Sequence, residues 1–358
     1  MAKWSDLPGD LLVPIAKRMV LIEDFLAFGR VCKSWNSAAT KENYTGGFTH
    51  QTPLLMLINL LVGSTPRHAL YNLKKRRDLD INIGSCLRYS SSLGWLIPQE
   101  DRNYLLHPFK DEKIVLPLFF NGSEITKFVL SSAPSLTSDY IVMVALATDC
   151  LREFAFWRPK DDAWTIISSP GSCWMPDEGR YDIAYYEGQF YIVENDGRVL
   201  VCDIEDLKKA KTRVVVSEMP ILHEIAEKLY LVKSAGVLLL VISLWEPYRS
   251  TNWFRVFEVP LSTGNWSNSV EVKNLGNCAL FLSENSSSFS IRVSDYSALK
   301  ANCIYHAGRC LGVFSMEDGK MEQKYFHYYD YFDSKEPYAW IQQYGYSGVS
   351  MENELTFT

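Results

Sequence analysis

Between residues 4 and 43 apolar positions recur at helical spacing, whereas from Pro53 onward they come in short runs broken by turns. Leu7, Leu11, Leu12, Ile15, Ala16 and Met19 fall on one stripe, and Phe25, Phe28, Val31 and Cys32 repeat it on a second segment. Trp35 lies on a short third segment ending near Ala39. Pro8 sits where a helix start tolerates a missing N–H. Pro14 falls in the first turn if that helix begins near Asp10, where it does little harm. Gly29 costs about 1 kcal/mol of helix propensity relative to alanine. Three helices over roughly 40 residues lie near the lower limit for independent folding. They carry more apolar surface than they can cover themselves. Either a partner completes their core or they pack on the rest of the chain, and composition leaves both open.

A break at Thr45-Gly46-Gly47 ends the helical pattern. The runs that follow predict strands near 54–61, 69–73, 87–92, 94–97, 104–106, 114–118, 127–130, 140–148, 151–157, 181–186, 189–194 and 198–204. The series continues at 229–233, 236–244, 254–261, 266–272, 278–282, 290–293, 302–306 and 312–316. Only 220–228 reads as helical in this part, with a short turn near 206–211. Glu187-Gly188, Asp196-Gly197 and Asp318-Gly319 are hairpin signals. Many short strands without alternating helices indicate an all-β sandwich, barrel or propeller.

A repeat decides among these. Phe154-Ala155-Phe156-Trp157 followed by Trp164 is similar to Phe254-Arg255-Val256-Phe257 followed by Trp266. Related runs lie at Val199–Asp203 and at Val313-Phe314-Ser315-Met316, so units are roughly 45 to 60 residues apart, the period of a propeller blade. About 300 residues at that period give about six blades. Blades bury their faces only against one another, so the ring must close. The 54–61 strand is expected to pair with 338–341.

The expected organisation is a mainly β chain with a small all-α N-terminal domain at 1–44. A linker at 45–52, a propeller at 53–343 and a flexible tail at 344–358 follow. Bulk chemistry narrows the function. The 358 residues are 47% hydrophobic and 13% aromatic with a net charge of −6, which disfavours a nucleic-acid binder because that would carry a basic face. No apolar run approaches the ~20 residues of a membrane span, so no membrane role is expected. The first residues lack a secretory signal's apolar stretch, and the eight cysteines lack paired spacing. Reduced thiols in the cytoplasm and/or nucleus are expected. Lys74-Lys75-Arg76-Arg77 is a basic run of the kind used for nuclear import, or else a solvated loop.

Cys303, His306 and Cys310 supply at most three metal ligands. In one strand Cys303 and His306 would face opposite ways, so no metal is expected. Asp161-Asp162 and Glu317-Asp318 read as turn formers rather than acid–base pairs. No nucleophile elbow, P-loop or dinucleotide fingerprint occurs. Neither a cofactor nor catalysis is expected. Aromatic and charged loops remain as recognition candidates, with Trp174, Arg180, Trp245, Tyr248 and Arg249 the residues singled out.

Leu7-Pro8, Asp10-Leu11-Leu12, Ile15, Asp24-Phe25 and Arg30-Val31-Cys32-Lys33-Ser34-Trp35 resemble the F-box in its plant form. The resemblance implies docking on a Skp-type adaptor and, through it, a cullin–RING ubiquitin ligase. Leu7, Pro8, Leu11, Leu12, Ile15, Phe25, Val31 and Trp35 are the implied adaptor-binding residues. Trp35 is the one best suited to hold the helices together instead. The stretches Tyr181–Tyr191 and Val270–Leu282, with Asn302–Tyr305 and Gly312–Gly319, resemble plant F-box proteins carrying domain of unknown function 295, often labelled F-box/kelch-repeat. That implies a kelch-like propeller in a substrate receptor whose target is undefined. The alternative is a non-ligase scaffold or inhibitor that sequesters a partner with its propeller.

Overall fold

The computed structural model describes residues 4, 7–19, 22–40, 43, 52–59, 66–84, 86–99, 104–109, 112–118, 124–147, 152–168, 180–206, 209–219, 226–246, 251–284, 286–296, 298–308, 311–325 and 335–342. Alternating apolar runs become antiparallel strands grouped into six sheets around an axis. Blade 1 combines β1 (Leu54–Asn59), β2 (Arg67–Asn72) and β3 (Arg77–Ile81) with the last strand, β24 (Lys335–Ile341). Blade 2 holds β4 (Tyr89–Ser92), β5 (Trp95–Pro98), β6 (Tyr104–His107) and β7 (Glu112–Val115). Blade 3 holds β8 (Glu124–Leu130), β9 (Val142–Ala147), β10 (Arg152–Trp157) and β11 (Thr165–Ile167).

Blade 4 is β12 (Asp182–Tyr186), β13 (Gln189–Val193), β14 (Val199–Asp203) and β15 (Lys211–Val216). Among the described residues blade 5 has three strands, β16 (Ala226–Ser234), β17 (Val237–Glu246) and β18 (Thr251–Glu258). Blade 6 has β19 (Cys278–Ser283), β20 (Phe289–Arg292), β21 (Cys303–Ala307), β22 (Leu311–Ser315) and β23 (Lys320–Tyr325), with β19 and β21 parallel.

The inner strands meet in succession. β24 contacts β4, then β4 meets β8, β8 meets β12, β12 meets β16, and β16 meets β19 and β20 before β19 returns to β24. The expected pairing of the first and last strands is present, with Leu55 opposite Trp340 and Leu54 opposite Ile341. Trp340 is buried at this seam, stands edge-on to Phe281 at 5.0 Å, and donates from Nε1 to Leu282 O. An apolar layer fills each gap between successive blades, so every sheet is covered on both faces. Hairpins at Leu93-Gly94, Glu187-Gly188 and Ala235-Gly236 use positive φ at both turn positions. That geometry matches the strand twist.

Two expectations fail. Residues 266–272 form no strand: Trp266–Asn268 is a 3-10 turn capped by Asn265, followed by a single bridge at Glu271. Trp266 is instead held by its indole N–H, which donates to Gly197 O. The helix expected at 220–228 is contradicted at its end, because Ala226 opens β16; residues 220–225 lie outside the described residues. Burial of Ala226, Leu229 and Leu231 against blade 4 outweighs the local helical pattern. Strands β3, β15 and β23 were hidden by the charged residues within them, and β3 and β15 are largely exposed or half-buried. The 45–52 linker lies largely, and the 344–358 tail wholly, outside the described residues.

Candidate functional site

The N-terminal helices are α1 (Gly9–Lys17), α2 (Ile22–Gly29) and α3 (Lys33–Ala38). α1 starts at Gly9 with Pro8 as its extended N-cap, one residue earlier than expected. Pro14 therefore falls in the second turn, where the bond it would have made to the Asp10 carbonyl is missing. Asp10 and Pro14 are both exposed on α1. Gly29 has a packing reason: a Cβ there would come within 2.9 Å of Ala39 Cβ. The end of α3 closes on α2 at this point, where Asn36 Nδ2 also donates to Gly29 O.

One side of this unit is built into the propeller. Leu12, Ala16, Phe25, Phe28 and Ala38 share an apolar cluster with Leu54, Met56 and Leu70 of blade 1 and Leu96 and Leu106 of blade 2. Lys75 Nζ lies 2.5 Å from Asp24 Oδ1, and Arg77 is 3.7 Å from the same oxygen. The Arg30 guanidinium donates to Asp80 O. The basic run thus forms the β2–β3 turn, and Lys75 is engaged with the helices rather than solvated.

The other side keeps its apolar residues in the open. Leu11 is 52% exposed, Ile15 37% and Val31 55%, with Pro8 also exposed. Leu11 and Ile15 are one helical turn apart on the same face of α1. Leu12 and Phe25, proposed from the sequence as adaptor contacts, are instead buried at 0% and 5%. They have little surface to offer, because the α1 stripe turned inward belongs to the apolar cluster shared by the three helices and blades 1 and 2. Leu7 and Trp35 are half-buried. Trp35 packs on Phe28 with centroids 4.5 Å apart and donates from Nε1 to Trp4 O, so it holds the helices together.

A second arrangement occupies the propeller axis. Lys127 on β8 and Asp182 on β12 form an ion pair of 2.7 Å with both side chains almost wholly buried. Asp182 also accepts from the Ile183 and Leu231 N–H groups at 2.8 Å each. Burial pushes its carboxyl up from the usual range, and Lys127 pulls it back. Lys127 donates to Ser286 O at 2.6 Å. Ser286 reaches from blade 6 to the other side of the ring, where its Oγ accepts from Ser91 N at 2.9 Å. Ser287 N donates to Ser91 O at 2.9 Å. This segment ties blades 2, 3 and 6 together across the axis. Beside it, His306 Nε2 lies 3.0 Å from Tyr230 Oη, and burial lowers the imidazole to about 4. This network is not legible in local sequence pattern; a lysine and an aspartate inside apolar strands are the available signal.

Comparison with known proteins follows the same division. Residues 4–45 match the F-box domain, and residues 62–330 match the KIB1-4 beta-propeller. The chain belongs to the KIB1-4 beta-propeller family. It is a plant F-box protein with a six-bladed propeller. It is similar to the F-box protein SKIP23 of Arabidopsis thaliana, 26% identical over 90% of this chain and 91% of that one. The Arabidopsis F-box/kelch-repeat protein At3g18720 is 25% identical over 56% of this chain and 54% of its own length. Among solved structures, a putative 6-phosphogluconolactonase from Bacteroides uniformis aligns over 76% of this chain and 82% of its own. Its TM-score is 0.41 at 12% identity.

In this KIB1-4 propeller two of the loop residues singled out from the sequence, Arg180 and Trp245, fall among the described residues. Arg180 is half-buried just before β12, and Trp245 has its backbone near the end of β17. Trp174, Tyr248 and Arg249 lie outside the described residues. Cys303 and His306 do face opposite sides of β21. Cys303 lies in the layer with Tyr305 and Trp340, while His306 meets Phe254 and Tyr230; Cys310 is outside the described residues. Asp161 and Asp318 accept turn N–H groups, as expected of turn formers.

Proposed function

We propose that this F-box protein is the substrate-receptor subunit of a Skp–cullin–F-box ubiquitin ligase, working in the cytoplasm and/or nucleus. The observation that carries the reading is the outward face of α1, where Leu11 and Ile15 stay exposed on a helix whose opposite face is anchored in the propeller. A Skp-type adaptor covers Leu11, Ile15, Val31 and Pro8. Leu12 and Phe25 support that face from beneath. The propeller holds a target protein, and no covalent chemistry is assigned to it. The receptor acts by proximity, raising the effective concentration of target lysines near the conjugating enzyme.

The experiment is co-purification of the full chain with a Skp-type adaptor, wild type against Leu11→Asp/Ile15→Asp. Adaptor should be recovered with the wild type and lost with the charged variant, while both give the same melting temperature. Equal recovery overturns the assignment. Target proteins should accumulate when the cullin or the proteasome is blocked. Unchanged abundance would point to the sequestering scaffold instead.

A further inference from the structure

Blade 5 has three strands where its neighbours have four or five. The chain that stands in for its fourth strand follows β18 only briefly. Val272 N donates to Val256 O at 2.8 Å and Glu258 N donates to Val270 O at 3.2 Å, around the single Phe257–Glu271 bridge. Beyond Val272 the chain turns away, with Gly276 N bonded to Asn274 Oδ1 and Leu275 N to Asn302 Oδ1. Main-chain groups on an antiparallel strand point alternately to its two sides. Val256 and Glu258 bond away from β17, so Asn252 and Phe254 also turn their N–H and C=O groups that way. Among the described residues no main-chain group meets them. Edges are usually blunted by proline, lysine or a bulge. Thr251–Arg255 has no proline or lysine, and its register with β17 is unbroken.

The gap left by the departing chain is a groove of about 420 Å³. One wall carries Trp253, 47% exposed, together with Arg255 and Lys273. The other is apolar, with Phe314 and Met316 from blade 6. On the charged wall Arg255 holds Glu271 through Nε at 2.9 Å and Nη2 at 3.0 Å, and Lys273 Nζ approaches the same carboxylate at 2.6 Å. Two cations share one carboxylate, which leaves a surplus positive charge beside the open edge. The acidic turn Glu317-Asp318 lies next to Gly319 on the opposite border, where Asp318 accepts from Lys320 N.

We propose that this groove binds an extended peptide segment of the target protein, which adds the missing fourth strand to blade 5. An open edge specifies an extended backbone, and the two walls specify its side chains. Successive residues of a strand face opposite walls. The segment therefore alternates carboxylates, set toward Arg255 and Lys273, with apolar side chains set toward Phe314 and Met316. This rests on the substrate-receptor reading and names the chemistry of what that receptor holds.

The test uses the full chain bound to a Skp-type adaptor and a short fluorescent peptide of alternating valine and glutamate, read by anisotropy. Binding should weaken about tenfold for Lys273→Glu and for Trp253→Ala, and should vanish when the peptide backbone is N-methylated at alternate residues. A valine–lysine peptide should not bind the wild type and should gain affinity for Lys273→Glu. Asn252→Pro, at an edge position that tolerates proline, should abolish binding without shifting the melting temperature. No binding of the valine–glutamate peptide, or equal binding of its N-methylated form, overturns the groove assignment. Adaptor recovery in the same samples is scored separately, so loss of the adaptor indicts the receptor reading and loss of the peptide indicts the groove.

Discussion

The helical unit and the ring treat apolar side chains in opposite ways. In the ring, layers between blades take up nearly every large apolar residue of the inner strands, and among the described residues the Lys127–Asp182 pair is a buried ion pair between inner strands. On α1 the same residue types are split within one turn, Leu12 at 0% exposure beside Leu11 at 52%. A closed ring has no unfinished surface except at its edges. A three-helix unit is too small to finish itself and so advertises where something else belongs.

The most damaging way to break the comparison is at the axis. Lys127→Met leaves Asp182 buried without its cation, and a loss of about 3–5 kcal/mol is expected in chemical denaturation. Adding Asp182→Leu should return much of it, because an apolar pair of similar volume needs no counter-charge. A double variant as unstable as the single would show that the bonds to Ser286 and Leu231 matter more than the charge pair.

The contrast between neighbouring leucines comes next. Leu12→Ala removes a fully buried side chain and should destabilise the helical unit by about 2–5 kcal/mol, measured by its hydrogen-exchange protection. Leu11→Ala should leave protection unchanged and lower adaptor affinity instead. If the two behave alike, the division between buried and exposed faces is wrong.

A smaller effect is expected from His306. Its folded value, about 4, lies below the ordinary 6.5. The unfolded chain therefore binds more protons across that window, and stability falls as pH drops from 6.5 toward 4. At most ~3 kcal/mol is at stake. His306→Gln should flatten the pH dependence of the melting temperature over this range, and an unchanged slope would place the titration elsewhere. The smallest change is at Asp24, whose partly exposed pair with Lys75 is worth about 0–1 kcal/mol. Asp24→Ala should barely move the melting temperature at high salt.

What could be read from the sequence followed the strength of local pattern. Inner strands such as β9 and β17 are continuous apolar runs, and the pairing of the 54–61 strand with 338–341 followed from the need to close the ring. Outer strands were missed where one face is polar, as in Lys211–Val216. Residues 266–272 look like a strand because Trp266 and Val270 are apolar, yet Trp266 is anchored in blade 4 and Val270 is 67% exposed. The F-box residues were recognisable as a set, but their division into buried and exposed members depends on how α1 sits on blades 1 and 2. No local pattern encodes that. Nor does local pattern encode the Ser286 bridge, whose partners lie more than 150 residues away in the chain.

The shared cluster beneath α1 carries one more consequence, in the language of linked equilibria. The helices rest on blade 1, the blade that also holds both ends of the ring. Anything that binds only the assembled helices also favours the closed ring, by an amount that grows with the logarithm of its concentration over its dissociation constant. A chain whose seam has not closed at Trp340 lacks the floor on which α1 is set. Binding at the helices and closure of the ring are thereby coupled through the shared cluster. Adaptor added to the wild type should raise the melting temperature of the propeller itself, and Trp340→Ala should weaken adaptor binding from a distance.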